Sequence, residues 1–393
     1  MLGEIIFTPA SALFLKRTKR EMDPKLYYDT QQAQDWHNLP WEALTWWRKE
    51  SIFKYGSMLV TPLYNDEYPK NFGTLKEFLQ PNDPKFLIVS DSGGSEVATR
   101  GVEPDPHDVL AFQETNADIG MIVDHPPMNY EYGINFPESH FLKCLKRTKE
   151  NAEFAARNRT KESLTLLNVL QGRDIDQTKR WYDEVKDVSL DGYALAPKPP
   201  SSSEAMARYC LFAIVEGLEG HIHVFCGTGK MTMPVIIWAS RYIKKLTFDS
   251  ASWTHLGSYK RFLIPQTMES PSVKGEINGN IPPCWCPMCQ IVDMEAYREA
   301  NDLSRKLLAL HNLYTYISYY RTLVGLRDSY DEYIEVVSRV AGPEVVGVIN
   351  MIEKGVEEND YHVGLTKQGS IKSFFGGKEE DLYKGEKWSK EWR

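Results

Sequence analysis

Short apolar runs, each bounded by turn residues and followed by a stretch with helical spacing, recur along most of this chain, and no other feature constrains the fold as much. The runs are Ile5 to Thr8, Ser57 to Leu63, Lys85 to Asp91, Ile119 to Asp124, Leu164 to Gln171, Gly192 to Ala196, His221 to Cys226 and Leu246 to Asp249. Between them, Glu138 to Arg157, Ile175 to Lys186, Glu204 to Glu216 and Thr232 to Lys244 carry amphipathic helical spacing. Ala12 to Leu15 reads as a further extended piece, and Trp41 to Tyr55, rich in Trp, Lys and Arg, as an amphipathic helix. Strands that are apolar on both faces and joined through helices run parallel. Eight such units close into a (β/α)8 TIM barrel, an α/β fold; an open doubly wound sheet is the alternative. What favours the barrel is where the polar residues fall. Run after run ends in a reactive or backbone-exposing residue, namely Asp91, Asp124, Gln171, Gly227 and Asp249. In a barrel these carboxyl ends share one mouth, where the catalytic groups of this fold collect.

A second feature stands apart from the alternation. Cys284-Trp285-Cys286-Pro287-Met288-Cys289 is followed by a helical run that reaches His311. Three thiols and one imidazole are the four ligands that tetrahedral zinc takes in structural sites. The alternative is buried or disulfide-bonded cysteine, but neighbours at i and i+2 in a tight loop are poorly placed to bridge, since a disulfide needs Cα atoms roughly 4.4 to 6.8 Å apart with convergent Cβ vectors. Cys144, Cys210 and Cys226 are then expected as free thiols.

Composition excludes some classes of function. The 46 Lys plus Arg against 54 Asp plus Glu give a formal charge of −8, so any nucleic-acid surface must be a local patch. Met1 to Phe7 lacks the basic flank and apolar stretch of a signal peptide, and no later run is apolar enough to span a membrane, so a cytoplasmic protein is expected.

Taken one at a time, the polar strand ends are ordinary. Asp91-Ser92-Gly93-Gly94 could be any glycine turn, although its backbone amides are placed to meet a ligand. Asp249 could be a helix N-cap. Together, carboxylates on several strand ends can serve as nucleophile and as acid and base at a sugar C1′. Gln171-Gly172 offers an amide that both donates and accepts, as a purine edge demands. Gly227-Thr228-Gly229-Lys230 lacks the spacing of a phosphate loop and reads as a tight turn that brings backbone close to a ligand.

The order of these motifs, from Asp91-Ser92-Gly93-Gly94 through Asp124, Leu170-Gln171-Gly172, Gly227-Thr228-Gly229 and Phe248-Asp249-Ser250-Ala251 to Cys-x-Cys-x-x-Cys with a distant His, resembles the tRNA-guanine transglycosylase superfamily over roughly Ser57 to Arg321. Phe248-Asp249-Ser250-Ala251 and Leu308 to Tyr314 look more like its archaeal branch than its bacterial one. The resemblance implies a zinc-bearing barrel that exchanges a guanine in a nucleic acid for a free 7-deazaguanine base such as queuine or preQ0. Asp249 would be the nucleophile and Asp91 the acid and base. Ser92, Gly93, Gly94, Asp124, Gln171 and Gly172 would hold the base, with Cys226 and Gly227 against its face. Zn2+, on Cys284, Cys286, Cys289 and His311, would be structural.

Two departures from the family pattern bear on the substrate. Ser95-Glu96 stands where an aromatic usually stacks on the base, and Gly192-Tyr193-Ala194-Leu195-Ala196-Pro197-Lys198-Pro199-Pro200 replaces the usual glycine pair, which in many members meets the substituent of the incoming base. The run of the chain suggests a barrel over residues 1–280, a zinc-binding subdomain over 281–330 and C-terminal helices with a polar, aromatic tail over 331–393. The short C-terminal part inclines the expected polymer to DNA, as in phage and bacterial DNA 7-deazaguanine transglycosylases, with tRNA as the alternative and a non-catalytic nucleic-acid-binding subunit as a second. Polymer contacts are expected from Lys143 to Lys149, from His255, Tyr259, Lys260 and Arg261, and from the tail Lys372 to Arg393. A homodimer is compatible with the sequence.

Overall fold

The structure, a computed structural model, describes residues 3–10, 39–65, 73–129, 131–227, 229–274, 283–299 and 301–364. Ala12 to Leu15 and the tail Lys372 to Arg393 lie outside the described residues. Eight parallel strands are described: β1 (Glu4–Pro9), β2 (Ser57–Val60), β3 (Leu87–Ser90), β4 (Ile119–Met121), β5 (Thr165–Leu170), β6 (Gly192–Leu195), β7 (His221–Val224) and β8 (Lys245–Ser250). Six lie within a run read from the sequence, and β1 and β8 extend theirs by one residue at each end. Their order is β1-β8-β7-β6-β5-β4-β3-β2, and a parallel bridge from Ala10 to Leu59 joins the two ends into a nearly closed barrel. Hydroxyls reinforce that seam, since Tyr55 and Ser57 both donate to the Phe7 carbonyl, at 2.9 and 2.6 Å.

The helices are α1 (Pro62–Asn65), α2 (Leu75–Leu79), α3 (Gly94–Arg100), α4 (Pro106–Asn116), α5 (Glu138–Asn158), α6 (Ile175–Val185), α7 (Ser203–Val215), α8 (Met233–Ala239), α9 (Ser252–Ser258), α10 (Met294–Arg298), α11 (Asp302–Leu326), α12 (Tyr330–Ala341) and α13 (Pro343–Glu358). Their starts follow ordinary capping chemistry. Asp174, Ser202 and Asn301 each accept a backbone N–H from the first turn of α6, α7 and α11.

Which face of each strand looks inward follows from the aromatics. Phe248 on β8 meets the rings of Phe7 (5.3 Å) and of Tyr320 on α11 (5.9 Å), so it points into the helix layer. Alternation then turns its neighbours Thr247 and Asp249 into the barrel. Asp249 pairs in register with Thr8, one step from the carboxyl end of the strand.

Two expected helices are corrected. Trp41 to Tyr55 keeps only a 3-10 turn, Trp41–Leu44, followed by bends and a turn. Trp46 and Trp47 are both fully buried, with rings edge to face at 4.7 Å, and adjacent helical residues diverge too far to enter one core together. The stretch Thr232 to Lys244 is helical only over Met233–Ala239, and every residue of that helix is buried. Its outer side is covered, because Tyr333 on α12 donates to the Pro234 carbonyl at 2.6 Å and the Trp238 indole donates to Glu353 on α13 at 2.6 Å. No helix among the described residues is long and apolar enough to cross a membrane.

Candidate functional site

Asp91, Asp124 and Gln171 lie just past the ends of β3, β4 and β5, and Asp249 is the next-to-last residue of β8. The Asp91 amide donates to the Val60 carbonyl at 2.9 Å, and the Ser92 amide donates to Asp91 Oδ1 at 2.7 Å, which orients that carboxylate. Gly93 starts α3 from a left-handed backbone (φ 92°), open to glycine at little cost. Gly94 has a steric reason to be glycine. A Cβ there would stand 2.3 Å from Asp124 Oδ1.

Asp124 is 3% exposed and held from two sides. Gln171 Nε2 donates to its Oδ2 at 2.7 Å and Ser92 Oγ donates to its Oδ1 at 3.1 Å. Burial raises its pKa, while those two hydrogen bonds pull the other way. With Nε2 committed, Gln171 Oε1 is left buried without a partner, an acceptor that a bound N–H would satisfy. Gly172 and Gly227 have packing reasons to be glycine. A Cβ on Gly172 would meet Thr178 Oγ1 at 2.6 Å, and one on Gly227 would meet Ile236 Cδ1 at 2.3 Å.

Asp249 is 7% exposed, and the backbone of Cys226 bends to reach it. Cys226 holds a left-handed conformation (φ 59°), uncommon outside glycine, and its amide donates to Asp249 Oδ1 at 2.9 Å. The thiol is open to the mouth, yet the surrounding walls, and then the Asp249 carboxylate, raise its pKa, so it stays protonated at neutral pH. Cys144 and Cys210 are free thiols as well.

Further residues that were given no role share this neighbourhood. His223, fully buried on β7, brings Nε2 to 3.4 Å from Asp249 Oδ1. Its Nδ1 is 2.8 Å from Thr247 Oγ1, which lies 2.9 Å from His221 Nε2. The available signal was the spacing His221-x-His223, which puts two imidazoles on one face of a strand. Lys198, in the proline-rich loop after β6, makes no hydrogen bond or ion pair among the described residues. Burial lowers its pKa, and Cys226 and Asp124 are the groups that act on its charge.

The expected polymer contacts divide. Tyr259 and Arg261 are exposed and His255 half-buried, all following Asp249 on or after α9. Lys260 is corrected. It is 2% exposed, and its ammonium donates to the carbonyls of Tyr297 (3.0 Å) and Glu299 (2.6 Å) and to Ser304 Oγ (2.6 Å), tying the barrel to α10 and α11. In the Lys143 to Lys149 run, Lys146, Arg147 and Lys149 are each paired with a carboxylate, Glu150, Glu103 and Glu184. Exposed pairs of this kind bind weakly and leave little net charge for a phosphate.

Cys284, Cys286, Cys289 and His311 converge, with all four ligand atoms within 4.8 Å of one another. His311 Nδ1 lies 3.9, 3.2 and 3.5 Å from the three sulfurs in that order. Its other nitrogen, Nε2, is 2.9 Å from the Leu263 carbonyl, which fixes the proton there and turns the Nδ1 lone pair toward the thiols. The sulfurs themselves bias one another: hydrogen bonds from Cys286 and Cys289 lower the pKa of Cys284, while Cys286 and Cys289 are raised. A divalent cation is what would let all three ionise together, and the set fits a tetrahedral metal of the zinc type.

No curated protein matches the chain. A sequence model of the queuine tRNA-ribosyltransferase family matches residues 59–324, a stretch that runs from β2 into the end of α11 and takes in Asp91, Asp124, Gln171, Asp249 and the four metal-type ligands. That match covers more than half of the chain, which therefore belongs to the queuine tRNA-ribosyltransferase family of pentosyl-transferring enzymes.

Proposed function

We propose that this enzyme exchanges a guanine in tRNA for a free 7-deazaguanine base through a covalent intermediate on Asp249. The observation that carries the reading is the pairing of two differently built carboxylate sites at one barrel mouth. One is the Asp124–Gln171–Ser92 network with its orphan amide oxygen, which suits a base edge. The other is Asp249, with one oxygen tied to the Cys226 amide, which suits an attack on carbon.

In the first step the Asp249 carboxylate bonds to C1′ as the C1′–N9 bond breaks. The bonding pair leaves with guanine, and Asp91 delivers the proton that makes guanine neutral. In the second step Asp91 takes the N9 proton of the incoming base, whose nitrogen displaces Asp249 from C1′. Two displacements retain configuration at the sugar, and Asp91 ends as it began. Asp124 and Gln171 hold the Watson–Crick edge of whichever base is present, with the Gly172 backbone beside it. Extrusion of the target base costs a few kcal/mol, which a pocket of committed hydrogen-bond partners offsets. Lys198 belongs to the segment that stands in place of the glycine pair and would meet the 7-substituent. Cys284, Cys286, Cys289 and His311 would hold Zn2+ as a structural ion, with no part in bond making.

The family description names tRNA, which supports tRNA over DNA as the polymer. The test is to incubate the protein with radiolabelled guanine and, in separate tubes, bulk tRNA and duplex DNA. Label in tRNA supports the reading. Label in DNA alone makes this a DNA-modifying member of the family, and label in neither sinks the proposal.

A further inference from the structure

We infer that His223 is a positioning residue for Asp249, selecting which carboxylate oxygen attacks; the inference rests on the base-exchange reading above. The interior of a (β/α)8 barrel is usually filled by branched apolar side chains. Here a column of polar groups runs up one side of it. Alternation places His221 and His223 on the inner face of β7 and Thr247 and Asp249 on the inner face of β8, and the strand register sets His223 opposite Thr247. The contacts run His221 Nε2 to Thr247 Oγ1 (2.9 Å), Thr247 Oγ1 to His223 Nδ1 (2.8 Å) and His223 Nε2 to Asp249 Oδ1 (3.4 Å). The Phe225 ring stands edge-on to the His223 ring, 4.9 Å away, and limits its rotation.

Proton counting assigns the tautomers. Thr247 has one proton to give and two imidazole nitrogens beside it. A carboxylate next to His223 Nε2 favours the proton on that nitrogen. Nδ1 then carries a lone pair and accepts the Thr247 hydroxyl, and the Thr247 oxygen accepts from Nε2–H of His221. The hydroxyl, His221 Nε2 and both nitrogens of His223 are then all used in the column. Burial holds His221 neutral in any case, with its pKa lowered to about 3.

The consequence falls on Asp249. The Cys226 amide and His223 Nε2–H approach the same oxygen, Oδ1. Oδ1 is thereby occupied, and Oδ2 is the atom left to bond to C1′. In this structure the His223 nitrogen is beyond good hydrogen-bond geometry, and a contraction of a few tenths of an ångström completes it. A carboxylate that rotates freely would attack from a poor angle for part of the time. A fixed one spends its time near the productive geometry, which is the usual basis of rate gains from positioning.

The experiment uses the full-length protein with bound metal. His223→Phe keeps the ring and removes both nitrogens; His223→Gln keeps a donor near the position of Nε2. For His223→Phe the expected result is a fall in kcat of about 10- to 100-fold with KM for the free base within about 2-fold, and a matching loss of the denaturation-resistant protein–tRNA adduct. His223→Gln should recover most of that loss. Thermal melting of both variants checks that they fold. A readout independent of turnover is 15N NMR of histidine-labelled protein, in which the resonance missing from His223→Gln identifies His223; a protonated Nε2 and a bare Nδ1 are expected. Wild-type kcat in a folded His223→Phe variant, equal damage in both variants, or a bare Nε2 would each overturn the inference. Wild-type protein that exchanges no base would instead overturn the base-exchange reading, and this role with it.

Discussion

Gly94→Ala is the smallest change that separates a recognition site from a glycine-rich loop. Gly94 has ordinary helical geometry at the start of α3, so alanine meets no backbone strain, and helix propensity alone would favour it by up to about 1 kcal/mol. Against that, the new Cβ would stand 2.3 Å from Asp124 Oδ1, 2.8 Å from Cγ and 2.9 Å from Oδ2. Ordinary contact starts near 3.4 Å, so the carboxylate or the first turn of α3 must give way by roughly 1 Å. Asp124 has little room to do so. A 1 Å shift away from α3 would break the 3.1 Å bond from Ser92 and distort the 2.7 Å bond from Gln171. Hydrogen bonds to a charged group are worth about 1.5 to 3 kcal/mol each, so losing one and straining the other outweighs propensity by about 2 kcal/mol. A misplacement of 1 Å in a positioning group also costs about 100-fold in rate. The expected outcome is therefore a protein that melts a few degrees lower and whose kcat/KM for base exchange falls about 100-fold, measured by guanine incorporation into tRNA. A double-mutant cycle with Asp124→Ala should show a coupling of about 2 kcal/mol in urea unfolding, because the methyl group then enters the space the carboxylate leaves. Gly94→Ala protein with exchange within threefold of wild type, or a cycle without coupling, would refute the reasoning.

Asp249→Asn should fold with wild-type stability within about 1 kcal/mol and lose the covalent adduct on denaturing gels; an adduct that persists would move the nucleophile elsewhere. Stripping the metal with a strong chelator, or His311→Ala, should lower the melting temperature by more than 10 °C and release one equivalent of zinc per chain by elemental analysis; a chain without zinc when purified from zinc-supplemented medium would exclude the assignment. Lys260→Met should remove the ammonium donor from three acceptors around α10 and α11 and cost about 3 kcal/mol in urea unfolding, with KM for tRNA unchanged after correction for folded fraction; a KM effect without a stability effect would restore Lys260 as a polymer contact. Burial, and then the Arg147 charge, lower the pKa of His125 to about 4, so below about pH 6.5 the unfolded chain takes up a proton that the folded chain refuses. That contribution is present above pH 6.5 and is lost as pH falls toward 4, by up to about 1.4 kcal/mol per pH unit, and His125→Gln should remove one proton from the measured slope.

The barrel could be read from the sequence because its strands are buried on both faces, and a run such as Leu166-Leu167-Asn168-Val169-Leu170 has few other places to go. The Cys3His cluster was legible for a related reason, since three thiols in one loop with a distant imidazole serve few other purposes. What the sequence hid is instructive in its physics. Trp41 to Tyr55 has the composition of an amphipathic helix, but Trp46 and Trp47 are buried side by side where the chain bends out of helical geometry. Lys260 sits in a string of polar residues after the candidate nucleophile, and only the fold reveals that its ammonium points away from the mouth to satisfy carbonyls nearly forty residues downstream. Cys226 carries its contribution in a backbone N–H, invisible in a side-chain motif. His223 acts across a strand register, a relation no local pattern encodes.

The metal cluster and Asp249 are joined mechanically although neither needs the other chemically. α9 begins directly after β8, and its Gly257 lies so close to α11 that a Cβ there would be 2.6 Å from Ala309 Cβ. Two residues further along α11, His311 holds the thiols with one nitrogen and the Leu263 carbonyl with the other, and Asn312 accepts the Leu263 amide at 2.9 Å and donates to the Arg261 carbonyl at 3.0 Å. The segment after α9 is thus gripped by the same turn of α11 that carries the metal-type imidazole. A metal in the cluster would fix the rotation of α11, and α11 in turn would fix the helix that follows the candidate nucleophile. Substitutions at the cluster should therefore reduce kcat even in the fraction of molecules that remain folded, whereas Gly257→Ala, which leaves all four metal-type ligands intact, should do the same by pushing α9 away from α11. If Gly257→Ala retained wild-type kcat with full zinc content, the cluster would stabilise the chain without orienting Asp249.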